Sequence, residues 1–210
     1  MSQLYDDPIF GDFFKTLKRY QVHLSALVIS ALLIVLGYSY SLDSTKQYNA
    51  MAMDYYIQYL DAVESSDRLT AENTLHILKS RYTTHLYSSI AALSHSAQQI
   101  SAQNFEQAKI ELSWVFHHSH VPFFSDLAHY KFAEIAKHEG NKDLLKHHIA
   151  LIQNPEVQTL GNHVLASSLA EEGLFDEARE KYLSLMAECQ DSTYQALLTN
   201  EYHIINLLIS

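Results

Sequence analysis

The chain has 210 residues, with 14 Lys and Arg against 24 Asp and Glu, a formal charge of −10, and 48% hydrophobic residues. So acidic a chain repels nucleic acid, and no basic stripe with interleaved aromatics offsets it, which excludes nucleic-acid binding. Five Gly and three Pro argue against an all-β domain of tight turns and for long helices, and the single Cys189 rules out an intrachain disulfide.

Residues 1–20 are predicted to be a cytoplasmic segment. Phe10, Phe13, Phe14 and Leu17 recur at helical spacing and run into Lys18-Arg19, the pattern of a short interfacial helix. Residues 21–42 are predicted to form a transmembrane helix. No Lys, Arg, Asp or Glu occurs from Tyr20 to Leu42. Nineteen helical residues from Val22 to Tyr40 reach about 28 Å, the thickness of a bilayer's hydrocarbon core. Val22, Leu27, Ile29, Leu33 and Leu36 form its apolar body, and Tyr38 sits where an aromatic belt lies. Lys15, Lys18 and Arg19 precede the run and Asp43 follows it, so the positive-inside rule leaves the N-terminus in the cytoplasm. A cleaved leader is the rival reading. Its h-region is usually only about 7–15 residues, and Ser39-Tyr40-Ser41 is a poor small-x-small site.

Residues 43–210 are predicted to be an all-α domain outside the membrane. Tyr48, Met51, Tyr55, Tyr59 and Ala62 recur three to four apart and predict a helix over 44–65. Helices follow over 69–82, 85–101 and 105–117, where Val121-Pro122 ends the unit. The next spans 125–139, capped by Ser125 or Asp126, and Gly140-Asn141 turns the chain. Helices over 141–153, 157–171, 175–187 and 192–209 complete the chain, with Asn154-Pro155 as a stop.

These helices repeat in pairs. Asn104-Phe105-Glu106-Gln107-Ala108, Asn141-Lys142-Asp143-Leu144-Leu145 and Leu174-Phe175-Asp176-Glu177-Ala178 each open the second helix of a pair. Their spacings of 37 and 33 residues straddle the roughly 34 of tetratricopeptide repeats. One pair cannot bury its own apolar face, so neighbours must stack. Leu93, Phe105, Ala108, Trp114, Leu145, Phe175, Ala178 and Tyr182 are the predicted repeat-packing residues.

Thirteen histidines raise a metal question. His117-His118-Ser119-His120 and His147-His148 are the densest groups, but no HExxH or CxxC accompanies them, and they read as solvated helix-end histidines. Glu171-Glu172 and Asp176-Glu177 read as solvated charge. No nucleophile elbow or phosphate-cradling loop is present. The sequence therefore predicts no catalytic residue, no cofactor, no metal and no small-molecule substrate. Tyr55, Tyr56 and Tyr59 are candidate exposed contact residues near the membrane.

Several stretches resemble a known family. Leu36-Gly37-Tyr38 ends the apolar run, and Tyr87-Ser88-Ser89-Ile90-Ala91-Ala92-Leu93 looks like a tyrosine-led Ala-Ala-Leu helix. Phe105-Glu106-Gln107-Ala108 followed by Leu112-Ser113-Trp114-Val115, and the segment Leu169–Tyr182, continue the likeness. Together they resemble the YfgM-type ancillary subunit of the SecYEG translocon, a tetratricopeptide-like, single-pass inner-membrane family of Gram-negative bacteria. The segment 126–139, DLAHYKFAEIAKHE, departs from the family's arginine-flanked pattern. The resemblance implies a non-enzymatic periplasmic scaffold or chaperone-like domain. Its partners would be the SecYEG translocon and a PpiD-like periplasmic chaperone, and it would assist proteins emerging from the channel. Two other classes stand beside it: an assembly factor of another envelope machine such as a secretion system, and a His-rich metal-responsive envelope sensor.

Overall fold

The computed structural model describes residues 44–189 and 191–209. The transmembrane expectation for 21–42, with Val22, Leu27, Ile29, Leu33, Leu36 and Tyr38, lies outside the described residues. Among the described residues, no helix is long and apolar enough to cross a membrane. The chain divides into two compact units, 1–51 and 52–210. In the first, the described residues 44–51 are helical.

The second unit is all helical among its described residues. It begins with α1 over 52–64, followed by α2 (Arg68–Arg81), α3 (Leu86–Ser101), α4 (Phe105–His118), α5 (Pro122–His138), α6 (Lys142–Leu151), α7 (Pro155–Glu171), α8 (Phe175–Glu188) and α9 (Ser192–Ile209). Within the pairs α3–α4, α5–α6 and α7–α8 the helices pack face to face. Each first helix also meets the first helix of the next pair, α3 on α5 and α5 on α7.

One turn recurs four times and explains the pairing. Ser66, Gln103, Gly140 and Gly173 all have φ between 60° and 79°. After each, a backbone N–H reaches back to a carbonyl five residues earlier: Asp67 to Ala62, Asn104 to Gln99, Asn141 to Ala136 and Leu174 to Leu169, all at 2.8–2.9 Å. This left-handed turn satisfies the orphan carbonyls of the first helix and reverses the chain. The second helix then starts at once. Asp67 and Asn141 cap α2 and α6 by accepting from the N–H of Thr70 and Leu144. The structure thus holds a fourth pair, α1–α2, ahead of the three legible in the sequence. Its signal was Ser66-Asp67, 37 residues before Gln103-Asn104.

The other junction, from a second helix to the next first helix, corrects two expectations. Pro122 and Pro155 do not end units; each is the first residue of the following helix. Proline has no N–H to lose there, and its fixed φ suits the first helical turn. Asp126, expected as a cap, lies buried within α5 instead. Its carboxylate accepts from the backbone N–H groups of Gln153 and Asn154 at 3.1 and 2.8 Å, and so fixes the α6–α7 junction.

Three apolar clusters run along the stack. The largest joins α1 to α5 through residues such as Tyr59, Leu78, Leu112, Val115 and Ile135. The last joins α7, α8 and α9 through Ala166, Tyr182, Leu185, Leu198 and Ile205. Between them lies a small cluster of Ala133, Ala136, Leu145 and Ile149. Alanines with no exposed surface, Ala91, Ala92, Ala108, Ala133, Ala136, Ala166 and Ala178, recur where helices cross. A side chain of one carbon lets the backbones approach closely.

Candidate interaction surface

The predicted packing residues divide in two. Ala108, Leu145, Ala178 and Tyr182 are buried. Leu93, Phe105, Trp114 and Phe175 are half-buried, each against one of the clusters. Phe105 packs on the His138 ring at 4.6 Å, and Trp114 stacks on His118 at 4.9 Å.

The tyrosines proposed as exposed contacts are not free. Tyr59 has no exposed surface. Tyr55 lies against Tyr82 at 5.8 Å, and Tyr56 stacks on Tyr87 at 5.1 Å with rings 7° apart. The end of α2 covers Tyr55, and α3 of the next pair covers Tyr56 and Tyr59.

The first helices are tied to each other by polar side chains. Gln98 donates to the Tyr59 hydroxyl across α3 and α1. Lys137 on α5 donates to Ser167 and pairs with Glu171, both on α7, at 2.7 and 2.8 Å. His163 on α7 meets two groups of α9: Nε2 lies 2.6 Å from the Glu201 carboxylate and Nδ1 lies 2.9 Å from the Tyr194 hydroxyl. A carboxylate only accepts, so Nε2 carries a proton, and in the neutral ring Nδ1 accepts from Tyr194. Burial pushes the Tyr194 phenol up to about 12, and burial with a hydrogen bond to a glutamate raises Tyr130 and Tyr182 further. These phenols stay protonated at physiological pH, so Tyr194 keeps its donor to His163 and Tyr130 its donor to Glu134. Glu171 and Glu172 are exposed, as expected of solvated charge, and pair at the surface with Lys137 and Lys142.

On the side of the second helices, a polar groove of about 460 Å³ runs between α2 and α4 over α3. Lys79 and Glu111 bridge it at 2.7 Å, and the Lys79 ammonium lies 5.3 Å from the centre of the Trp114 ring. His95 forms part of its floor. Burial lowers its pKa, with Glu111 and Glu72 opposing. Its Nε2 meets Gln99 at 3.1 Å, while Nδ1 is buried with no hydrogen-bond partner. The groove's two cations are matched by two carboxylates, so it has no net charge with which to recruit an ionic ligand.

The histidine groups separate. His117 and His118 donate Nδ1–H to the carbonyls of Ser113 and Trp114 at the end of α4, as helix-end histidines do. His148, expected in solvent, is buried against His129. Among the described residues, no three metal-ligating side chains converge.

Exposed apolar surface gathers on two helices, α1 with Met53, Ile57 and Leu60, and α9. Leu197, Ile204, Leu207 and Leu208 are each at least 45% exposed, while Leu198 and Ile205 bury the opposite face. The spacings 197, 204 and 208 trace one stripe along the helix. By contrast α2, α4, α6 and α8 each expose a single large aliphatic side chain: Leu69, Ile110, Leu151 and Leu183.

No curated protein and no solved structure matches the chain significantly. A family model described as a tetratricopeptide repeat-like domain matches residues 15–202. With its stacked helix pairs and repeated turn, the chain belongs to the tetratricopeptide repeat-like domain family, whose domains are generally non-catalytic scaffolds for contacts between proteins.

Proposed function

We propose that the protein is a membrane-anchored, non-enzymatic scaffold of the bacterial inner membrane. Its helical stack works in the periplasm beside the SecYEG translocon and a PpiD-like chaperone, assisting proteins that emerge from the channel. The placement at the translocon rests on the resemblance of residues 86–116 and 160–186 to YfgM-type subunits, and on the uncharged run from Tyr20 to Leu42. The protein-binding role rests on the family and on one observation, the apolar stripe of α9. Contiguous exposed apolar surface of this kind marks contact with other proteins.

Leu197→Glu combined with Ile204→Glu, made in the full chain, tests the reading. Both side chains face solvent, so the variant folds, and its co-purification with SecYEG should fall at least tenfold. Deleting 43–210 should abolish it while the anchor still inserts. Undiminished recovery of SecYEG by either variant refutes the docking role of the stack. In-cell crosslinks from position 204 to a secretion-system subunit instead would move the protein to another envelope machine.

A further inference from the structure

We infer that the buried His129–His148 pair is an acid-sensitive joint between the two halves of the helical stack. It is independent of who the partner is. His129 on α5 and His148 on α6 approach Nδ1 to Nδ1 at 3.0 Å, with 8% and 5% of their surface exposed. Each ring is stacked on a phenylalanine: His129 on Phe116 of α4 at 4.6 Å and 18°, His148 on Phe132 of α5 at 4.0 Å and 18°. Two imidazole nitrogens at this distance hold one proton between them, as one donor and one acceptor. A proton added at the accepting Nδ1 would set N–H against N–H, and one added at an Nε2 would charge a ring more than nine-tenths buried and stacked on aromatic carbon.

The surroundings do little to relieve this. Asp126 on α5 favours protonation of His129, whereas His147 on α6 and His117 on α4 oppose it. The Asp126 carboxylate is already committed to two backbone N–H groups. Burial lowers both rings, and takes His148 down to about 4.

The position in the fold gives the consequence. The pair sits at α5–α6, beside the smallest of the three apolar clusters and the shortest helix among α2–α9. The clusters of α1–α5 and of α7–α9 meet through this region. A group held neutral in the closed form and ordinary in the open form adds stability above its open-state pKa, near 6.5. That stability is lost as pH falls from there toward about 4. Protonation of the pair therefore favours opening of α6 as pH falls through that window.

Hydrogen exchange of the full chain at pH 8 and pH 5, corrected for intrinsic rates, tests this. Peptides of α5 and α6 should lose at least tenfold more protection at pH 5 than peptides of α8, which carries no histidine. His129→Phe with His148→Phe, which keeps two aromatic rings, should abolish the difference. Imidazole NMR of the unsubstituted protein gives a second reading that needs no variant: the assigned rings of His129 and His148 must titrate below the roughly 6.5 of a free imidazole. Equal loss across the stack, an unchanged loss in the double variant, or thirteen histidines titrating together near 6.5 would each overturn the joint.

Discussion

Gly140 and Gly173 hold φ of +67° and +79°, while Ser66 and Gln103 hold +60° at the equivalent turn positions. A left-handed conformation costs a residue with a Cβ about 1 kcal/mol and costs glycine nothing. Gln103→Gly should therefore raise the free energy of unfolding by about 1 kcal/mol in urea titration. Gly173→Ala should lower it by a similar amount. A Cβ at Gly173 meets no atom within 4 Å, so that loss is torsional, with no steric part. At this scale the sequence was readable where one residue does one job. Gly140 and Gly173 announced their turns, but Gln103 gave no sign of a positive φ, because its type does not favour the left-handed turn that the Asn104 N–H to Gln99 bond closes. His148 was misread for a related reason: its neighbour in sequence, His147, is exposed, and its partner lies 19 residues away on another helix.

Among the helices, periodicity found every element, and the predicted bounds of α9 coincide with the observed ones. The errors fell at the helix starts. A proline reads equally as a stop for one helix and as the first turn of the next, and Pro122 and Pro155 took the second role. Asp126 passed for a cap because aspartate near a helix start usually is one. Its true partners, the N–H groups of Gln153 and Asn154, belong to a distant junction. Asp126→Asn leaves one oxygen for two donors and turns an amide N–H₂ toward one of them. It should cost about 1–3 kcal/mol in thermal or urea unfolding, with the earliest loss of exchange protection at the start of α7. The period of α1 likewise found the tyrosines without revealing that α2 and α3 would cover them.

For the whole molecule, the stacked-pair architecture was legible because its spacing is local. The extent of the array was not: the first pair keeps the alanine, Ala71 matching Ala108 and Ala178, but has Arg68 where Phe105 and Phe175 stand. The exposed stripe of α9 was also hidden: Leu197 and Leu208 fall in the helical apolar pattern, and the structure leaves them uncovered. The four identical reverse turns carry a further consequence. Because every pair closes through the same turn, each is a unit that the stack can repeat. A second copy of 155–188 placed in tandem after the first would carry its own closing turn at Gly173 and present the same α7 and α8 faces to its neighbours. The lengthened chain should fold cooperatively, with helical ellipticity growing in proportion to the added residues and a melting temperature no lower than the parent's. Such growth by copying suggests a scaffold whose reach can be altered while its ends stay the same.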